Sequence, residues 1–306
     1  MASNLPRSFK RDPELVFRMY FTMFLLGVLY AIFAAILLTF HFSIFFVGGV
    51  VGIMVLVQYF LSDKLIMWST GAKEVSAAEE PVLHAMVERL ARAAGMAKPK
   101  VAVIDSSVPN AFATGRNPKN ALVAVTTGIR QRLTDRELEG VLGHELAHVR
   151  NKDMRVLAIA NFLVTMTSFV MSMLFWSALF GGGKRDRQGG ANAMMLLYLI
   201  TMVVYFVGQL LVLALTRYRE YGADHSGAEI SGDPGALATA LEKISGAMAR
   251  IPSEDLRKLQ TASAFLFIPA ALKGDNVIQL FSTHPPVEDR IRRLRELEQR
   301  ARFGMR

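Results

Sequence analysis

Residues 134–155, TDRELEGVLGHELAHVRNKDMR, join a polar segment to a long apolar run and indicate how the chain is organised. Thr134 followed by Glu137 is a capping box, which predicts that a helix starts here. His144 and His148 are four residues apart, so their imidazoles project from one face of that helix. The sequence therefore predicts a helix that carries two histidines on one face and ends next to an apolar segment.

The apolar residues are concentrated in three runs without a charged side chain, at residues 19–62, 156–183 and 188–216. A helix needs about 20 apolar residues to cross a bilayer, so the first run can hold two spans and the others one each. Helices of soluble proteins are rarely apolar on every face. We expect four transmembrane helices, near Tyr20–Phe40, Phe42–Leu61, Val156–Phe180 and Ala191–Thr216.

The predicted spans divide the chain into a tail, 1–19, two pairs of spans, 20–61 and 155–216, and two further segments, 62–154 and 217–306. Basic residues in the tail place the amino terminus in the cytoplasm, and four spans return the carboxyl terminus to the same side. The basic loop at 184–187 argues against this topology, because it would face outward. We predict a mainly α membrane protein with four transmembrane helices and a cytoplasmic α+β domain built from the two segments.

The segments outside the spans carry their own helix and strand signals. Ser76 with Glu79 is a second capping box, followed by Pro81, and predicts the start of another helix. The remaining predicted elements are strands at Lys100–Asp105 and Ala121–Thr127 and helices that begin at Pro234 and Pro286. The last of these helices has an arginine-rich face, which we interpret as solvated, with contact to anionic lipid as the alternative.

The two histidines predict a metal site if the chain supplies a third ligand. The chain has no cysteine, which excludes thiolate ligands. Glu220 and Asp224 follow the fourth span and are one helical turn apart, and the even number of intervening spans brings them to the side of the histidines. We assign His144, His148 and Glu220 as ligands of one Zn²⁺, with His225 as the rival third ligand. Asp224 is then placed to accept a hydrogen bond from a ligating histidine.

Glu145 lies beside the predicted metal with room for a water molecule, so it is the candidate general base for peptide hydrolysis. The tetrahedral oxyanion needs a hydrogen-bond donor besides the metal. His284, held by adjacent prolines, is the candidate donor, although the residue type fits an ordinary turn histidine equally well. These residues favour a zinc endopeptidase.

With these residues in place, the chain resembles the HtpX family of membrane zinc metalloproteases, relatives of the CAAX prenyl endopeptidases. The resemblance rests on four motifs in this order: Asn110–Gly115, the His144–His148 helix, Arg219–Asp224 and Ser282–Pro285. It implies a zincin-like domain, an active site that faces the cytoplasm at the cell membrane, and quality control of damaged or misfolded membrane proteins under stress. It also implies that His284 stabilises the transition state, assisted by Arg290.

The resemblance further implies an edge strand next to the active site, formed by Asn110, Ala111, Phe112, Ala113 and Thr114. Such a strand binds an extended substrate through its backbone with little sequence preference, although an ordinary hairpin strand is the alternative. The expected partners are unfolded or extended membrane proteins and the lipid bilayer, and no nucleic acid is expected. A membrane chaperone or scaffold that retains the zinc motif without proteolysis is the alternative function.

Overall fold

The computed structural model describes residues 13–41, 43–115, 118–180, 188–248 and 285–303. His284 and the predicted loop at 184–187 lie outside these residues. The helices are α1 (Pro13–Thr39), α2 (Ile44–Thr70), α3 (Pro81–Ala93), α4 (Thr127–Arg132), α5 (Asp135–Arg150), α6 (Asp153–Phe180), α7 (Gln188–Ser231), α8 (Pro234–Met248) and α9 (Val287–Phe303), and the strands are β1 (Lys73–Glu74), β2 (Lys100–Ile104), β3 (Ala111–Thr114) and β4 (Leu122–Thr126).

The chain divides into two compact units, one formed by residues 17–60 and 156–215 and the other by residues 1–16, 61–155 and 216–306. The first unit consists of apolar helices. The buried side chains of α1 recur every three or four residues: Leu26, Tyr30, Phe33 and Leu37. Its other faces expose large apolar side chains such as Phe24 and Ile32. A helix that is apolar on every face is typical of a membrane span.

Three helical stretches, Pro13–Thr39, Arg155–Phe180 and Asn192–Ser231, are long and apolar enough to cross a membrane. They overlap three of the four predicted spans, so the prediction of a mostly helical membrane protein is confirmed in part. The other predicted span falls on α2, a continuous helix in which residues 45–54 form a described apolar stretch. Its role as a span stays a prediction, as do the cytoplasmic orientation and the division into membrane and catalytic segments.

The second unit contains a four-stranded sheet in the order β1-β2-β4-β3. Strands β2 and β4 are parallel, whereas β1 and β3 pair antiparallel with their neighbours. Strand β3 therefore forms one edge. Helices α3, α5, α8 and α9 contribute to one continuous core with the sheet, which includes Val87, Val123, Val141, Leu241 and Leu294. This core fixes the position of α5, the helix that carries both histidines.

The Ser76–Glu79 capping box forms, but it does not begin a helix as predicted. The Glu79 carboxylate accepts the Ser76 backbone N–H at 2.7 Å within a turn, and α3 begins only at Pro81. Glu80 occupies the cap position without a side-chain capping bond, because its carboxylate forms a bidentate ion pair with Arg130 at 2.7 and 2.8 Å. Proline at the first helical position sets the start instead, since its fixed φ suits the helix and its missing N–H is not needed there.

Candidate metal centre

The amino terminus of α5 is fixed by the capping box that the sequence predicts. The Thr134 side chain accepts the Glu137 backbone N–H, while the Glu137 carboxylate accepts the Thr134 backbone N–H at 2.8 Å. From this cap α5 continues without interruption to Arg150. His144 and His148 therefore lie one turn apart on the same face.

Two glycines allow α5 and α7 to cross at close range beside the first histidine. A Cβ on Gly227 would lie 2.7 Å from both Cα and N of His144, and a Cβ on Gly143 would lie 2.9 Å from the Gly227 carbonyl oxygen. Real Cβ atoms are not found this close to backbone, so the crossing requires glycine at both positions. Glu220, Asp224 and Gly227 follow helical spacing, so the face of α7 that crosses α5 also carries both carboxylates.

This crossing brings together three side chains that can hold a metal: His144, His148 and Glu220, whose ligand atoms all lie within 4.8 Å of one another. The two histidine Nε2 atoms are 3.1 Å apart. The Glu220 carboxylate lies 3.6 Å from Nε2 of His144 and 3.4 Å from Nε2 of His148. Two imidazoles with one carboxylate form a ligand set used by catalytic zinc sites, which keep a fourth position open. His225, the rival ligand, is not a member of this group.

The electrostatics of the group favour a positive charge at the point where these atoms meet. Burial alone would lower the pKa of His148, but hydrogen bonds to Asp153 and Glu220 raise it to about 10. The pKa of His144 is also raised, because its bonds to Asp224 and Glu220 outweigh its burial. A divalent cation held by the neutral imidazoles would supply positive charge at the same point. The donor set and its environment therefore fit a metal ion.

Glu145 is buried next to this group, with 6% of its surface exposed. Its Oε2 accepts a hydrogen bond of 2.9 Å from the backbone N–H of Ala113 on β3. Burial is the main cause of the raised pKa of the Glu145 carboxyl, against the opposing charges of His144 and His148. A carboxyl with a raised pKa is suited to accept and return a proton near neutral pH.

His144 is held from behind by a set of residues that we call the Asp224 contact: His144, Asp224 and Arg290. Asp224 Oδ1 lies 2.9 Å from Nδ1 of His144. Arg290 on α9 donates two hydrogen bonds to the Asp224 carboxylate, from Nε at 2.8 Å and from Nη2 at 2.7 Å. Its Nη1 lies 3.6 Å from the Glu220 carboxylate. Arg290 thus connects the carboxylate behind one candidate ligand with the carboxylate of another.

His148 is held by a second set, the Asp153 contact: His148, Asp153 and Arg219. Oδ2 of Asp153 lies 2.7 Å from Nδ1 of His148 and 3.3 Å from Nη2 of Arg219. The sequence alone does not predict the roles of Asp153 and Arg219. Asp153 is the first residue of α6 and follows His148 by five residues across a helix break, so no helical spacing marks it. Asn151 is a turn-favouring residue, but the Lys152 that follows it gives no signal for the left-handed turn.

The edge strand β3 lies where the sequence predicts it, although regular structure begins at Ala111 rather than Asn110. The Asn110 carbonyl accepts the Thr126 backbone N–H at 2.9 Å, so Asn110 faces β4. In an antiparallel pair the backbone direction alternates, so Phe112 and Thr114 also bond to β4 while Ala111 and Ala113 direct theirs to the open edge. The bond from Ala113 N–H to Glu145 agrees with this alternation. Among the described residues no strand pairs with β3 on the side away from β4, and this open edge runs beside the candidate base.

Known proteins match the chain over almost its entire length. The sequence pattern of peptidase family M48 matches residues 77–298. "Protease HtpX homolog" of Moorella thermoacetica is 53% identical over 96% of this chain and 97% of its own length. "Protease HtpX homolog 2" of Methanosarcina mazei is 47% identical over 96% and 99%, and "Protease HtpX homolog 1" of Streptomyces coelicolor is 44% identical over 94% and 93%.

Among solved structures, the crystal structure of S. mikatae Ste24p is similar, with a TM-score of 0.56. The match covers 92% of this chain and 67% of that chain at 17% identity. At this identity the similarity concerns the fold alone.

Proposed function

The chain belongs to peptidase family M48 and is a membrane metalloprotease, and on this premise we propose that it is a zinc endopeptidase for damaged or misfolded membrane proteins. The observation that carries the proposal is the group of three ligand atoms from His144, His148 and Glu220, with the buried Glu145 beside it. Zinc is inferred from the two imidazoles and one carboxylate.

The proposed reaction assigns a task to each side chain at the site. His144, His148 and Glu220 hold Zn²⁺, which supplies Lewis acidity when bound. Glu145 takes the proton from the attacking water and passes it to the leaving amine, which its raised pKa favours. Asp224 orients His144, and Arg290 holds Asp224 through two hydrogen bonds.

We assign substrate binding to Asn110–Thr114, through the backbone of β3 at its open edge. An extended segment that adds to this edge would use the outward backbone groups of Ala111 and the carbonyl of Ala113, and it would pass next to Glu145, which already accepts the Ala113 N–H. Backbone pairing binds unfolded segments with little regard to their sequence. This mode of binding suits substrates that have lost their fold.

A metal analysis combined with a proteolysis assay tests this function. Purified protein in detergent is loaded with zinc and incubated with casein, an unfolded substrate. We expect wild type to bind about one zinc and to cleave casein, Glu145→Gln to keep zinc and lose cleavage, and Glu220→Ala to lose both. Glu139→Gln is the matched control, since Glu139 lies on the same helix and pairs with Arg89 away from the site.

The outcomes separate the proposed function from its alternative. Equal cleavage by wild type and Glu145→Gln, or cleavage that a chelator leaves unchanged, would show that the site does not perform the hydrolysis. Zinc binding without any cleavage of unfolded proteins by wild type would instead favour the chaperone or scaffold. Full zinc occupancy in Glu220→Ala would exclude Glu220 as the third ligand.

His284 is proposed as the donor that stabilises the oxyanion. Its substitution His284→Ala should lower kcat by about 100- to 1000-fold, the usual effect of removing one oxyanion donor, without changing zinc content. A change in zinc content would make His284 part of the metal site instead.

In the proposed topology the protein lies in the plasma membrane, and both termini and the active site face the cytoplasm. The chain has no cysteine, so single cysteines can be labelled without a background. Arg92→Cys lies on the exposed face of α3, and Ser43→Cys lies in the turn between α1 and α2. A membrane-impermeant maleimide should label position 43 in intact cells and position 92 only after permeabilisation. The reverse pattern would invert the topology.

A further inference from the structure

A two-residue turn between α5 and α6 brings the carboxylate of Asp153 back to the histidine helix. Helix α5 ends at Arg150, and the backbone N–H of Asn151 still bonds to the Ala147 carbonyl at 2.8 Å. Lys152 then adopts a φ of +58°, a left-handed conformation that costs energy for a residue with a Cβ. Directly after this residue, Asp153 begins α6 within hydrogen-bonding distance of His148.

Asp153 is buried, with 5% of its surface exposed, and one of its oxygens serves two partners. Oδ2 accepts from Nδ1 of His148 at 2.7 Å, and Nη2 of Arg219 approaches the same atom at 3.3 Å. A carboxylate on Nδ1 fixes the proton there and leaves the Nε2 lone pair for a metal. The bond also fixes the rotation of the imidazole ring.

Arg219 is buried as well, with 6% of its surface exposed. Within the part of the chain that the structure describes, its Nε donor has no hydrogen-bond partner. A buried charge with an unpaired donor is unfavourable, so packing alone does not account for an arginine here. Its described ion pair is with Asp153, and it directly precedes Glu220 in α7. Arg219 therefore connects the carboxylate behind His148 to the turn of α7 that carries the third candidate ligand.

We propose that Asp153 and Arg219 are positioning residues for the second histidine ligand: Asp153 fixes His148 with Nε2 towards the metal, and Arg219 fixes Asp153. This inference rests on the proposed function, in which His148 binds zinc. It gives each histidine its own carboxylate and its own arginine. Neither Asp153 nor Arg219 contacts the metal or the substrate in this arrangement.

Zinc affinity, measured by competition with a chromophoric chelator, tests the pair without relying on turnover. We expect Asp153→Asn to raise the Kd for zinc about 10- to 100-fold, the usual effect of removing such a carboxylate. Arg219→Gln should raise it less, because Asp153 remains beside His148. Arg219→Lys should recover part of the affinity, since it restores the positive charge.

A double-substitution cycle tests whether the two residues act as one unit. If Arg219 acts through Asp153, the Kd of the combined Asp153→Asn and Arg219→Gln variant should equal that of Asp153→Asn alone. The visible spectrum of the cobalt-loaded protein should change in Asp153→Asn, because the ring of a ligand has moved. A spectrum like that of wild type, or independent effects of the two substitutions, would overturn the proposal.

Two variants serve as matched controls. Asp135→Asn alters an exposed aspartate at the other end of α5. Arg150→Gln removes the ion pair of 2.7 Å between Arg150 on α5 and Glu229, which lies on α7 as Arg219 does. Both should keep the zinc Kd of wild type. A loss of zinc affinity in Arg150→Gln equal to that in Arg219→Gln would mean that any ion pair made by α7 has the same effect, and would refute a specific role for Arg219.

The same data distinguish this inference from the proposed function. If wild type fails to bind zinc, the proposed metal site is wrong. If wild type binds zinc tightly and Asp153→Asn binds it equally well, only the positioning role of Asp153 is wrong. Should Asp153→Asn fail to fold, Arg219→Gln and Arg219→Lys still test the pair, since an unchanged Kd in both would exclude it.

Discussion

The Asp224 contact and the Asp153 contact hold the two histidines with the same chemistry but with different numbers of hydrogen bonds. Arg290 donates two bonds to Asp224, at 2.8 and 2.7 Å, whereas Arg219 approaches Asp153 with one nitrogen at 3.3 Å. Bidentate pairs between arginine and carboxylate are stronger and fix geometry better than single contacts. His144 therefore has the more rigid support.

The two contacts also differ in how the chain assembles them. The Asp224 contact joins α5, α7 and α9, so it depends on the packing of helices that are far apart in sequence. In the Asp153 contact the histidine and the carboxylate are five residues apart, and the turn at Lys152 sets their distance. Changes in helix packing should therefore affect His144 first, and changes in the turn should affect His148 first.

The largest effect is expected from Asp224→Asn. It removes the carboxylate behind His144 and leaves the buried Arg290 without its main counter-charge, a strongly unfavourable state. We expect the Kd for zinc to rise by about 100-fold, the upper end for such residues and more than in Asp153→Asn. Asp289→Asn, a change at a partly exposed ion pair on α9, is the control and should leave the Kd unchanged. An effect of Asp224→Asn smaller than that of Asp153→Asn would reverse the ranking of the contacts.

Gly227→Ala tests the dependence of the Asp224 contact on helix packing. The added Cβ would lie 2.7 Å from the His144 backbone, so α7 has to move away from α5, at a cost of about 1–3 kcal/mol in the free energy of unfolding. Because Glu220 and Asp224 move with α7, we expect the zinc Kd to rise about 10-fold. Gly222→Ala, on the same helix with no atom within 4 Å of the new Cβ, should keep the wild-type Kd and stability or gain stability. Equal Kd values for the two variants would show that the crossing does not set the ligand geometry.

The difference between the contacts also explains what the sequence could predict. The sequence predicts Glu220 and Asp224 because the helical spacing between them is visible, as it is for His144 and His148. Asp153 has no such mark, since its position depends on a left-handed residue whose φ no side-chain pattern reveals at a lysine. The helix crossing at Gly143 and Gly227 is also not predictable from the sequence, because a glycine within a helix either packs against a neighbouring helix or faces open space. The predicted start of α3 is wrong because a capping box can close a turn without beginning a helix.

Substitutions at Lys152 test whether the turn controls the Asp153 contact. Valine is β-branched and is disfavoured at positive φ, so Lys152→Val should shift the turn and reduce stability by about 1–3 kcal/mol. The zinc Kd should rise by a smaller factor than in Gly227→Ala, because His144 and Glu220 keep their positions. Lys152→Gly accepts this φ freely and should keep the wild-type Kd. If valine and glycine give the same Kd, the turn does not determine how His148 is held.

Glu137→Gln has the smallest expected effect on the zinc Kd. It serves as the reference for comparing the two contacts, since it destabilises α5 without acting on one histidine more than on the other. Burial would raise the pKa of Glu137, but its bonds to Lys243 and Thr134 lower it overall. A lowered pKa in the folded state means that the carboxylate stabilises the fold above its unfolded pKa of about 4.3 and loses this effect as the pH falls through the folded value. Wild type should therefore have a higher Tm than Glu137→Gln at pH 7, and the difference should shrink as the pH falls below about 4.

The zinc Kd of folded Glu137→Gln should match that of wild type. A Kd as high as that of Asp153→Asn would mean that the stability of α5 as a whole, rather than the contact at His148, determines the affinity for zinc.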